Sequence, residues 1–119
     1  MSRDHRKLRV YREADELVTA TYRASQSFPP SERYGLQSQL RRAAVSAAVN
    51  IVEGSARGTE REYLHFLNIA TGSSAEAEYL VPLSMRLGFL TAQEGEVLQR
   101  RYAELSAALR ALIKSVRHA

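Results

Sequence analysis

The sequence predicts an all-α fold: an antiparallel, up-down-up-down four-helix bundle in one domain spanning residues 1–119. Three observations predict it. Apolar residues recur at alternating three- and four-residue steps along nearly the whole chain, the seam of helices packed at shallow left-handed angles. The repeating segments are separated only by short stretches of Pro, Gly and capping residues, and connections that short set successive helices antiparallel. Composition removes the competing classes: 6 Gly and 3 Pro among 119 residues are too few turn formers for a β-sandwich or a low-complexity chain.

The first helix, about 7–27, carries Tyr11, Ala14, Val18, Thr21, Ser25 and Phe28 on one stripe. Phe28-Pro29-Pro30 stops it, because proline restricts the residue before it and lacks an N–H. Ser31 is the expected N-cap of the second helix, about 31–54, with Glu32 in its first turn. Its stripe is Leu36, Leu40, Ala43, Ala47, Asn50 and Gly54. Ala43 to Val49 presents small groups on every face, which lets helix backbones approach closely. Gly54, Ser55 and Gly58 break the chain again.

Thr59-Glu60-Arg61-Glu62 has the capping-box pattern and opens the third helix, about 59–87. Tyr63, Phe66, Leu67, Ala70, Ala77, Leu80 and Leu87 form one stripe, while Leu64, Ile69, Leu83 and Met85 lie outside it. A helix apolar on two sides is either central or covered by another subunit. Pro82 is expected to kink it, and Gly88 to end it. Thr91-Ala92-Gln93-Glu94 repeats the capping box for the fourth helix, about 91–117, whose seam is Leu98, Tyr102, Leu105, Leu109, Leu112 and Val116. Doubly apolar helices give a chain of this size more apolar surface than one core needs, so a homo-oligomer is expected.

Several function classes are excluded early. Cys is absent, which removes disulfides, Fe–S clusters and thiolate zinc. No apolar run approaches the roughly 18 residues of a membrane span, so no membrane role is expected. The opening residues, MSRDHRKLRVYREADE, lack an apolar h-region, and a cytoplasmic location is the expectation. Glu62-x-x-His65 has the spacing used in bundle di-iron sites, but the second such motif is missing, with His5 and His118 at the chain ends. No metal, cofactor or catalytic residue is therefore assigned. Gly54 to Gly58 lacks the Lys-Ser/Thr of a phosphate loop, and Ser46, Ser73 and Ser74 have no His one turn away.

Fifteen Arg and two Lys oppose 13 acids, a net charge of +4. In an antiparallel bundle both termini and the connection between the second and third helices share one end. That end gathers Arg3, Arg6, Lys7, Arg9, Arg12, Arg57, Arg61, Arg110, Lys114 and Arg117. Its acids are Asp4, Glu53, Glu60 and Glu62, which leaves +6. Arg110, Lys114 and Arg117 complement the C-terminal dipole of the last helix; Arg6, Lys7 and Arg9 sit where a helix N-terminus disfavours cations. These ten are the candidate nucleic-acid residues.

The run 39–57, QLRRAAVSAAVNIVEGSAR, together with 62–70, EYLHFLNIA, and 72–76, GSSAE, resembles the bacterial four-helix bundle family encoded in intervening sequences of large-subunit (23S) ribosomal RNA genes. The likeness extends to Phe28-Pro29, Glu32 to Leu36 and Leu87 to Leu90, and so covers nearly the whole chain. Ala47-Ala48 departs from it, standing where a more Val- or Pro-like pair is expected. The resemblance implies a bundle assembling as a cyclic homopentamer. It also implies a fold similar to the accessory variability protein of diversity-generating retroelements, which binds a reverse transcriptase and nucleic acid. Activity does not follow from fold alone.

The family-matching polar residues Arg41, Arg42, Ser46, Asn50, Glu53 and Arg57 lie on the second helix, and Ser46, Asn50, Glu53 and Arg57 share one face. Asn68 and Glu76 of the third helix could meet them. They read as a hydrogen-bond network fixing register, or else as a pocket for a ligand or peptide. Three functions stay open: a non-enzymatic oligomer whose basic end contacts RNA, DNA or a nucleic-acid-bound protein; a purely structural or interaction oligomer; and a ligand binder or enzyme using the Asn50/Glu53 face. The first is the expectation.

Overall fold

The computed structural model describes residues 3–119, and among them there is no strand. Four helices account for most of the chain: α1 (Arg9–Ala24), α2 (Leu36–Ser55), α3 (Glu60–Arg86) and α4 (Ala92–Arg117). They pack side by side into a body 45 × 22 × 19 Å. Helices adjacent in sequence are adjacent in space, and α1 also packs on α4.

Two helix starts are chemically explicit. Thr59 accepts from the Glu62 N–H at 3.2 Å, and Thr91 accepts from the Glu94 N–H at 3.1 Å while donating to the Glu94 carboxylate at 2.9 Å. Each satisfies a donor that has no partner within the helix. The end of α3 is equally explicit. Gly88 takes φ +80°, Phe89 N–H reaches Ser84 O at 2.9 Å and Gly88 N–H reaches Met85 O at 3.0 Å, a Schellman closure that only glycine adopts without strain. The helix itself continues through Pro82.

The start of α2 corrects the expectation for Ser31. Pro29 and Pro30 favour a short 3₁₀ turn over Pro30–Glu32 instead of an α-helix, and α2 begins only at Leu36. Its cap is the Glu32 side chain, which accepts from the Leu36 N–H at 2.9 Å. Gly54 is a second correction. It lies inside α2 and is buried, not a break: a Cβ there would meet Phe66 Cβ at 3.0 Å and the Tyr63 carbonyl at 3.3 Å. The first helix is likewise shorter than expected, flanked by 3₁₀ turns at His5–Lys7 and Ser25–Ser27.

The core runs the length of the four helices, with Leu17, Leu40, Ile51, Leu67, Leu105 and Leu109 fully enclosed. In α2 the small residues Ala43, Ala44, Ala47 and Ala48 are all buried, as their size requires for close approach. Ile51, not Asn50, takes the inward position in the next turn. In α3 the inward set is Tyr63, Leu67, Ala70, Ala77, Leu80 and Val81, while Leu87 is exposed. Buried hydroxyls pin the register. Thr21 and Tyr102 share a 2.6 Å bond, Ser74 and Ser106 share one of 2.7 Å, and Ser106 donates to the Glu78 carboxylate at 3.1 Å. Buried polar groups paired in this way specify one packing.

Candidate nucleic-acid interface

The ten basic residues singled out in the sequence fall into two groups with different surroundings. Those of the N-terminal segment are largely engaged with the protein itself. Arg3 donates its backbone N–H to Ser55 O at 2.6 Å, and its guanidinium lies 3.9 Å above the Tyr63 ring. This ties the N-terminal segment to the end of α2 and the start of α3. Burial raises the Tyr63 hydroxyl above its ordinary pKa, an effect the Arg3 charge partly offsets.

Arg6 forms a 3.0 Å ion pair with Asp4, and that hydrogen bond holds the Asp4 carboxyl below the usual carboxylate range. Asp4 also accepts from the Arg6 N–H, closing the 3₁₀ turn. Arg9 pairs with Glu13 at 2.8 Å across one helical turn. Arg12 folds back to donate to the carbonyls of Arg6 and Lys7 at 3.5 and 3.4 Å. Arg57 pairs with Glu53 at 3.1 Å and rests over the Phe66 ring at 4.7 Å, leaving its Nε buried with no hydrogen-bond partner. Lys7 and Arg61 are exposed, and no ion pair engages them among the described residues.

The α4 group is different. Arg110, Lys114 and Arg117 recur at four- and three-residue steps, so they stand on one face of the helix. They line a groove of about 500 Å³ between α3 and α4, together with Asn68, Thr71 and His118. The buried side of Ile113 forms its floor. No acid lines this groove, and among the described residues none of the three cations makes an ion pair. A concave strip of unneutralised cations beside low-dielectric walls concentrates positive potential. Its neighbours Thr71 and Ile113 were not singled out from the sequence, and His118 was weighed there only as a metal ligand; Thr71 was within reach, one turn on from Asn68.

The polar residues of α2 assemble less than their spacing suggests. Ser46 meets Ser73 of α3 at 2.7 Å, and Asn50 donates to the Ser46 carbonyl at 2.8 Å and its hydroxyl at 3.2 Å. Glu53 and Arg57 pair with each other one turn further on. Neither α3 residue meets this row: Asn68 donates to Leu64 O at 2.9 Å within its own helix, and Glu76 accepts from Gln39 at 3.4 Å. Arg41 turns to α1, donating to Ser25 Oγ at 2.8 Å and Tyr22 O at 3.1 Å, with its guanidinium 4.5 Å over the Tyr22 ring. Arg42 stays exposed. The result is a second groove, of about 400 Å³, between α1 and α2. Tyr22, Arg42, Val45, Ser46, Val49 and Asn50 line it.

Glu62 and His65 are both exposed, the imidazole lying edge-on to Phe66, so this pair does not face the bundle interior. Among the described residues no group of three or more His, Asp or Glu side chains is placed to hold a metal ion. Among the described residues no helix is long and apolar enough to cross a membrane.

The model of the 23S rRNA-intervening sequence protein family matches residues 6–111. The chain belongs to this family. Its fold is similar to the crystal structure of a protein of unknown function from the S23 ribosomal protein family of Bacteroides thetaiotaomicron. The TM-score is 0.79 at 22% sequence identity, over 88% of this chain and 98% of that one. No curated protein matches the chain. In this family member the N-terminal half of the fold holds the small-residue helix, and the α3–α4 pair holds the basic groove.

Proposed function

We propose that this family member is a non-enzymatic, self-associating bundle that binds a nucleic-acid backbone, directly or on a bound partner, through its basic end. The observation that carries the reading is the α3–α4 groove, where Arg110, Lys114 and Arg117 face solvent without an opposing acid. Cations left unpaired in a concave strip attract phosphate and fix position on a backbone without reading bases.

An up-down-up-down antiparallel course supports the gathering of these charges. Later α3 residues meet earlier α2 residues: Tyr63 and Phe66 lie against Gly54, Ser73 against Ser46, and Glu76 against Gln39. Along α4 the pairs Ser74–Ser106 and Met85–Gly95 run in the same opposed sense. The chain termini and the α2–α3 connection then share one end.

An electrophoretic shift with generic RNA and DNA at 50 and 200 mM salt, about the range over which phosphate contacts weaken steeply, tests the reading. Binding at the lower salt is expected. The triple variant Arg110→Glu, Lys114→Glu, Arg117→Glu should abolish it, and Arg86→Glu, at the end of α3, should not. Absence of binding at low salt would refute direct recognition.

Self-association rests on a separate observation. Tyr34, Val49 and Tyr79 are large apolar side chains left 88%, 47% and 61% exposed by the single chain. A purely structural oligomer needs only this second feature, and the shift assay separates it from the first. A cyclic homopentamer is the assembly we favour.

A further inference from the structure

We propose that the α3–α4 groove selects RNA over DNA, with α4 holding phosphates and α3 accepting hydrogen bonds from ribose 2′-hydroxyls. The proposal deepens the nucleic-acid reading above and rests on it. It comes from the opposite chemistry of the groove's two walls.

The α4 wall offers only donors: Arg110, Lys114 and Arg117 have no acceptor atom in their side chains. From Arg110 to Arg117 the helix rises about 10 Å at ~1.5 Å per residue. That length spans more than one phosphate of a strand lying along it.

The α3 wall offers acceptors. Asn68 is bound through its amide nitrogen, which donates to Leu64 O at 2.9 Å. A carbonyl can only accept, so the nitrogen must face it, which orients the amide and leaves Oδ1 as the free acceptor of Asn68 beside its second N–H. Thr71 is constrained in the same way. Its hydroxyl proton goes to Leu67 O at 2.8 Å, leaving only lone pairs on Oγ1. Both backbone bonds run one turn back along α3, and both side chains line the groove.

A strand that uses the Oδ1 and Oγ1 acceptors must present acceptors to α4 and donors to α3. Phosphate oxygens are acceptors in both nucleic acids. The donor beside them on the sugar edge is the 2′-hydroxyl, which deoxyribose lacks. His118 supplies the one aromatic ring of the lining, so at most one base can stack there and the sugar-phosphate edge is the part that the other lining residues fit. An inorganic anion satisfies the α4 wall but leaves the acceptors of Asn68 and Thr71 unused.

The test compares oligouridylate with oligodeoxyuridylate of equal length, which differ only at the 2′ position, by fluorescence anisotropy at low salt. The wild-type protein should bind the ribo-oligomer about fivefold or more tightly, the scale of two modest net hydrogen bonds. Asn68→Ala combined with Thr71→Val should remove that preference and leave deoxy-oligomer affinity within about twofold, with helical content by circular dichroism unchanged. Arg110→Ala with Lys114→Ala should weaken both oligomers together. Equal affinity of the wild-type protein for the two probes overturns the proposal while leaving backbone binding intact. Preference retained by the Asn68/Thr71 variant overturns it as well. Failure to bind either probe overturns both this proposal and the nucleic-acid reading.

Discussion

At the scale of single residues, the most consequential side chain in the core is Tyr102. It is enclosed by the bundle and shares its hydroxyl with Thr21 at 2.6 Å. Burial pushes its pKa up from 10.0 to about 12, partly offset by the Thr21 bond and the Arg101 charge. The sign follows from linkage. Below pH 10 the folded and unfolded chains both keep the proton, and the contribution to stability is full. Between about pH 10 and 12 the unfolded chain releases it while the fold still holds it, so stability falls by about 2 kcal/mol through that window. Tyr102→Phe should cost about 1–2 kcal/mol at neutral pH by leaving Thr21 without its partner. In denaturant melts from pH 8 to 12 the two curves should converge; parallel curves would show that Tyr102 is not the titrating group. The polar row of α2 shows how far residue patterns could be read. The shared face of Ser46 and Asn50 follows from helical spacing. The partner of Ser46 on the next helix, Ser73, depends on the register between α2 and α3, which spacing within one helix does not contain. Asn50 bonds only to its own helix, so its loss should cost less than that of the Ser46–Ser73 pair.

At the scale of elements, the legible features were those whose chemistry is local. Thr59 and Thr91 cap the helices they precede in sequence, and Gly88 closes α3, because each acts on backbone groups within a few residues. The start of α2 was obscured because its cap comes from a side chain four residues upstream, Glu32, across a 3₁₀ turn that the two prolines favour. Gly54 was misread for a related reason. Its role is set by Tyr63 and Phe66 across the helix pair, not by its own neighbours. Two glycine substitutions separate these roles. Gly54→Ala gains helix propensity but drives a Cβ to 3.0 Å from Phe66 Cβ, and a net loss of about 1–3 kcal/mol is expected from overpacking. Gly72→Ala places its Cβ where nothing lies within 4 Å, and should gain about 0.5–1 kcal/mol. Chemical denaturation of both variants checks the pair; equal effects would mean that Gly54 is not a close-approach position.

At the scale of the whole molecule, charge and apolar surface divide between different faces. The pairs Arg6–Asp4, Arg9–Glu13 and Arg57–Glu53 engage three of the ten cations that the sequence collects at one end. The groove that remains, between α3 and α4, is therefore narrower and sharper than the end-wide charge suggested, and its walls come from side chains 39 or more residues apart. Apolar surface concentrates elsewhere. Tyr22 and Val49 flank the α1–α2 groove, and Tyr34 stands beside its continuation toward the α2 N-terminus. With the alanines of α2 turned into the core, the exposed Val49 and the part-exposed Val45 are the apolar side chains that α2 offers a second copy. Light scattering should give a mass that is a multiple of the 13.3 kDa chain, five-fold for the pentamer. Val49→Asp puts a charge into that surface; with the residue 47% exposed, the single chain can solvate it, so the fold should survive while assembly is lost. Val97→Asp, on α4 and 41% exposed, is the matched control and should leave the mass unchanged. A concentration-independent 13.3 kDa mass for the unaltered chain would refute self-association. Loss of assembly in both variants would move the contact away from the α1–α2 face.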